Sequence, residues 1–192
     1  MLLLIIGLIV FLGIHAINLI NPGLRQQMID KRGRGTWRVV YSIIALVGLV
    51  LIIVGYGQAR MDPTWLWFPP AGLRHLALIL TLIGFVLVAA AFVPRNRLKA
   101  KLGHPMYAGV KIWALAHLLA NGSVADVLLF GGFLAWAIAG FAVQRRRDRA
   151  AGVIHPAGTM TGDITTIAAG LVTWAIFAMF LHTLLIGVSP MP

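Results

Sequence analysis

Six long apolar runs constrain this chain more than any other feature. They cover roughly residues 2–20, 39–57, 71–93, 105–121, 124–143 and 164–188. Each approaches the ~20 residues with which an α-helix spans a bilayer core. Backbone groups in hydrocarbon must be paired internally, so only helices and closed barrels cross, and runs this long call for helices. Composition agrees: 60% of the 192 residues are hydrophobic and 11% charged, against about a quarter charged in soluble domains. The sequence therefore predicts an all-α polytopic membrane protein, a six-helix transmembrane bundle forming one domain over residues 1–192. The run at 105–121 is the shortest and most polar. Only Gly122 and Ser123 separate it from the next, which predicts a tight antiparallel hairpin. No cysteine is present, which excludes disulfides, thiolate metal sites, iron–sulfur clusters and covalent CxxCH haem attachment.

The net charge of +11 comes from sixteen Lys and Arg against five Asp and no Glu. Its placement argues for membrane topology and against nucleic acid. The segments at 21–38, 94–104 and 144–163 hold thirteen of the bases; those at 58–70 and 122–123 hold one, Arg60. By the positive-inside rule the three basic segments are cytoplasmic. Both termini then face the periplasm of a bacterial inner membrane. The first run has no basic leader and no small-residue cleavage site, and reads as a retained helix rather than a signal peptide. The stretch "DPTWLWFPP" (62–70) reads as an aromatic belt at the outer interface, with a lid over an outward-facing pocket as the alternative. Gly131, Gly132, Ala135, Ala139 and Gly140 in the fifth run read as close helix packing.

Six histidines punctuate the chain. His155 falls in a basic segment and reads as solvated. His15, His75, His104, His117 and His182 lie in or at the ends of helices, in a chain that reads as having no embedded carboxylate. Ionisable groups inside a bilayer are costly and usually face the bundle interior, where they mark a site. An imidazole there can hydrogen-bond a neighbouring helix, or it can ligate iron, and two can hold a b-type haem without covalent attachment. Asn18 lies at i+3 from His15, and Asn121 one turn beyond His117, where it could orient the ring through its other nitrogen. His104 and Pro105 also suit a plain helix entry. Lys111 either snorkels to the cytoplasmic interface or faces a ligand carboxylate such as a haem propionate. Depth along the helices separates His15, ~8 Å from the cytoplasmic end, from His117 at ~18 Å. By depth alone, His15 suits His104, and His117 suits His75 or His182.

"FLGIHAINL" (11–19), "HPMYAGVKIWALAHLLANG" (104–122), the basic tail after the fifth run and "GVSP" (187–190) resemble the NnrU family over nearly the whole chain. That is a family of bacterial integral membrane proteins found with denitrification and nitric-oxide functions. It is similar in turn to the 15-cis-zeta-carotene isomerase of plants and cyanobacteria, a membrane haem b protein. The resemblance implies haem b with His15 and His117 as axial ligands; Lys111 and Asn121, from their helical positions, and His104 are the further candidate cofactor-binding residues. His104 matches the family's H-P histidine, and His75, in "AGLRHL", stands near another. Ala114 departs from the isomerase, which has cysteine there, so a thiol cannot replace histidine on iron. The six residues from His104 to Gly109 also resemble the H-P-x-Y-x-G of isoprenylcysteine-type membrane methyltransferases, whose acidic motif has no counterpart in a chain without Glu. The implied function is a redox or isomerase reaction on a lipid-soluble substrate. The implied partners are the bilayer and a further copy or other denitrification membrane proteins. A non-catalytic membrane protein, with histidines serving as helix–helix hydrogen bonds, is the rival.

Overall fold

A computed structural model describes residues 1–191, all helix, turn and loop apart from an isolated bridge between Trp65 and Ser123. The helices are α1 (Leu2–Ile20), α2 (Pro22–Ala59), α3 (Gly72–Phe92), α4 (Arg97–Leu102), α5 (Pro105–Ala120), α6 (Val124–Ala150), α7 (Met160–Ile176) and α8 (His182–Ile186). A π-helical turn, Phe177–Leu181, joins the last two. Among the described residues, five helical segments are long and apolar enough to cross a membrane: α1, α2, α3, α6 and Met160–Ile186. The expected sixth, α5, has only 16 residues, about 24 Å of helix. Many large apolar side chains face outward, such as Leu2 (69% exposed) and Ile9 (67%), as hydrocarbon rather than water requires.

Two boundaries differ from the sequence reading. Residues 21–38 are helical rather than a loop. Asn21 caps the helix by accepting from Leu24 N at 3.0 Å, and Pro22 occupies its first turn. The break comes at Gly33, whose φ of 82° interrupts α2 and suits glycine alone without strain. Likewise α6 runs on to Ala150, so Arg147 and Arg149 lie in its last turn, where cations favour the helix dipole.

Glycines set the closest approaches. A Cβ on Gly55 would stand 2.3 Å from Leu4 N, and one on Gly48 2.8 Å from Phe11 N. Thus α1 and α2 pack backbone against backbone, the small-residue mode of membrane helices. In α6 the expected packing stripe is partial: Gly140 lies against the Tyr107 ring, whereas Gly131 faces open space. In the bundle, α1 packs against α2 and α6, α5 against α6 and α3, and α3 against α7. Among the described residues α1 and α5 do not pack on each other, because α6 lies between them.

Side-chain contacts sort the loops by end. At one end, Arg147 donates to the Asn18 and Leu19 carbonyls (2.8 and 2.9 Å), Asp148 meets His104 and His155, and Arg97 pairs with Asp163 at 3.3 Å. Buried Asn96 joins two helices there, donating to Ala90 O and Val93 O and accepting from Lys99 N. At the other end, Tyr56 Oη donates to Asp126 at 2.6 Å, Arg60 donates to Ile186 O at 3.0 Å, and Leu66 N donates to Gly122 O at 2.8 Å. The basic segments thus share one end, and α5 runs the full distance between ends. Asp126, 4% exposed, corrects the expectation of no embedded carboxylate: it completes a capping box with Ser123.

Candidate functional site

Five of the six histidines fall into three separate places. His15 sits on α1, half-buried, between Phe11 (stacked, 4.2 Å), Tyr41 (5.3 Å) and Trp136 (6.1 Å). Its Nδ1 lies 2.7 Å from the Phe11 carbonyl. A carbonyl only accepts, so Nδ1 carries the proton and Nε2 of the neutral ring keeps its lone pair. His15 lines a cavity of about 340 Å³ with Asn18, Trp37, Tyr41, Tyr107 and Trp136. Arg25, Arg38 and Met106 also line it. The break at Gly33 makes this possible: Arg25 comes from the part of α2 before it, Trp37 and Arg38 from the part after. The indole N–H of Trp136 is buried with no hydrogen-bond partner among the described residues.

His117 sits on α5 with its Nδ1 2.9 Å from the Trp113 carbonyl. Its ring stacks on Phe130 at 4.4 Å and tilts against Trp113 at 4.9 Å. It lines a different and much smaller cavity, about 40 Å³, shared with His182, Trp174 and Thr81. His182 follows the π-helical turn, an irregularity often found at functional sites. The structure therefore brings His117 to His182, as depth suggested, and places Phe11, Phe133 and Trp113 in sequence between the two cavities (5.6 and 5.5 Å).

The third place is the N-terminus of α5. His104 Nε2 and His155 Nε2 lie 2.8 and 2.9 Å from the same Asp148 oxygen. His155 is thus held by a carboxylate and is not simply solvated. Asn121 donates its amide to the His117 carbonyl at 2.9 Å, so it closes the end of α5 and does not reach the imidazole. Lys111 places Nζ 3.9 Å from the centre of the Phe141 ring and lines neither cavity. His75 is exposed at the start of α3 and joins no site. The aromatic loop is tied to the α5–α6 turn, with Trp65 stacked on Phe68 at 5.1 Å and Phe68 77% exposed. It lines neither cavity, which fits the belt and not the lid.

This fold and these sites define a polytopic α-helical membrane protein with imidazoles on aromatic-walled cavities between its helices. The family model for the NnrU protein matches residues 3–190, and the chain belongs to that family. No curated protein and no solved structure matches the chain.

Proposed function

We propose that this NnrU protein is a haem b-binding protein of the bacterial inner membrane. It serves nitric-oxide or denitrification metabolism through a redox or isomerase reaction on a lipid-soluble substrate. The observation that carries this is the His15 imidazole, held by the Phe11 carbonyl with Nε2 free, on the wall of the 340 Å³ cavity. The rest of that wall suits the cofactor. Aromatic rings from Trp37, Tyr41, Tyr107 and Trp136 match a flat apolar macrocycle, and Arg25 and Arg38 match its propionates. Haem bound there would supply one-electron chemistry or a site for a diatomic gas.

The protein's own contribution is positional. The Phe11 carbonyl fixes the tautomer and orientation of His15, as outer partners of ligating histidines do. The aromatic walls would pack on the macrocycle, and the arginines would hold its propionates at the basic end. His117 faces the other cavity. Met106, a thioether on the His15 cavity, belongs to a side-chain type that ligates haem iron, so the pocket offers a second ligand without His117.

The rival reading gives the histidines only interhelical hydrogen bonds. His15 and His117 instead bond carbonyls four residues back in their own helices, which favours the cofactor. For topology, we propose six crossings, with α5 as the short one, because it spans from the basic end to the Trp65–Ser123 end. The basic end is then cytoplasmic and both termini periplasmic. Purified protein supplied with haem should show a Soret band that shifts on reduction; a colourless preparation would sink the proposal.

A further inference from the structure

We propose that His104, Asp148 and His155 form a divalent transition-metal site, separate from the His15 cavity and independent of the haem reading. The three donors come from three segments: the cap of α5, the last turns of α6 and the loop that follows. Their ligand atoms all lie within 4.8 Å of one another. Two imidazoles and one carboxylate form a donor set that zinc, iron(II) and cobalt(II) take readily. None of the three lines the His15 cavity.

The backbone around the cluster is shaped to leave it room. Gly103, φ 72°, sits directly beneath it. A Cβ there would stand 2.6 Å from His155 Nε2 and 3.3 Å from Asp148 Oδ2, so any other residue would fill the space between the donors. Val153 N donates to the Asp148 carbonyl at 2.9 Å, which turns the chain back and brings His155 over Asp148. Side-chain exposures of 24%, 20% and 22% leave the cluster partly covered yet reachable by water. Three protein ligands leave a fourth position open to water or another ligand, unlike the closed four-ligand set of structural sites.

Without metal, both Nε2–H groups donate to Asp148. Tetrahedral bonds of ~2.0–2.1 Å set donor–donor separations at ~3.3 Å, so the pairs at 2.8 and 2.9 Å need open by only about half an ångström. On binding, each ring offers its Nε2 lone pair to the ion and carries its proton on Nδ1, with no net change in charge for neutral imidazoles. Of the arginines flanking Asp148 on α6, Arg145 and Arg147 donate to the carbonyls of Leu102 and Leu19. An anion, such as a phosphate headgroup at this interface, would suit the open position.

The alternative is a metal-free clasp, with Asp148 simply holding two imidazoles. Detergent-purified full-length protein without a polyhistidine tag should be titrated with cobalt(II), read by visible absorption and by metal content. One cobalt per chain is expected, displaced by zinc. Asp148→Asn and His155→Ala should weaken binding at least ~10-fold, the loss that even an outer-shell partner brings. His155→Gln separates the two roles. Its amide still donates to Asp148 and keeps the clasp, so its thermal melt should match the wild type while cobalt binding falls. No cobalt binding by the wild-type chain, or equal binding by His155→Gln, would overturn the proposal.

Discussion

Asp126→Ala should destabilise the bundle by several kcal/mol, and the contacts say how much. One oxygen of Asp126 accepts from Tyr56 Oη at 2.6 Å; the other accepts from Ser123 N at 2.8 Å and Ser123 Oγ at 2.6 Å. Tyr56 and Ser123 are 7% and 3% exposed, so none of these three donors finds water once the carboxylate is gone. A buried donor left unpaired costs about 1–3 kcal/mol. Three of them give ~3–9 kcal/mol, a large share of a typical stability. The consequence reaches the cavities, because this pair ties α2 to α6, whose Phe130, Phe133 and Trp136 stand between or line them. Tyr56→Phe alone should cost ~1–3 kcal/mol, but in the Asp126→Ala background it removes an orphaned hydroxyl and should cost nearly nothing. The assay is unfolding of detergent-solubilised protein by tryptophan fluorescence, across the four members of the cycle. Simple additivity of the two single changes would refute the reasoning.

Gly140→Val would place a Cβ 2.2 Å from the Tyr107 ring, and such overpacking typically costs about 1–3 kcal/mol. Tyr107 must move within the His15 cavity, so haem content should fall while helical circular dichroism is retained. Gly33→Ala meets no neighbour but forces φ of 82° on an alanine, at about 1–2 kcal/mol; it should lower the melting temperature slightly and loosen the cavity mouth, read as faster haem loss to apomyoglobin. Alkaline phosphatase fused after Met61 should be active and after Arg146 inactive; the reverse pattern would invert the proposed topology.

Much of the fold was legible because hydrocarbon imposes its own grammar. Apolar runs located α1, α3 and α5 to within a few residues, whereas α2 and α6 extend well past their runs into basic sequence; the basic segments do gather at one end. The segment 21–38 misled because polarity was read as loop. The signals for a helix were present in Asn21 as cap, Pro22 in the first turn and the i,i+4 pair of Gln26 and Asp30 (2.8 Å). Asp126 was likewise announced by Ser123 three residues before it, in the spacing of a capping box. Helix order is what no local pattern reveals. His15 and His117 could be read as embedded, but α6 lies between their helices, and that is decided by tertiary packing. His104 is 44 positions from Asp148 and 51 from His155, so although Asp148 lies only seven before His155, no local spacing joined the three.

We propose that His15, on its own cavity, holds the cofactor. The most direct measurement is haem per chain by pyridine haemochrome assay in wild type, His15→Ala and His117→Ala, each purified with haem supplied. Wild type should carry one haem, His15→Ala almost none, and His117→Ala close to the wild-type amount. Undiminished haem in His15→Ala would contradict the account, and loss in His117→Ala alone would move the cofactor to the cavity that His117 shares with His182.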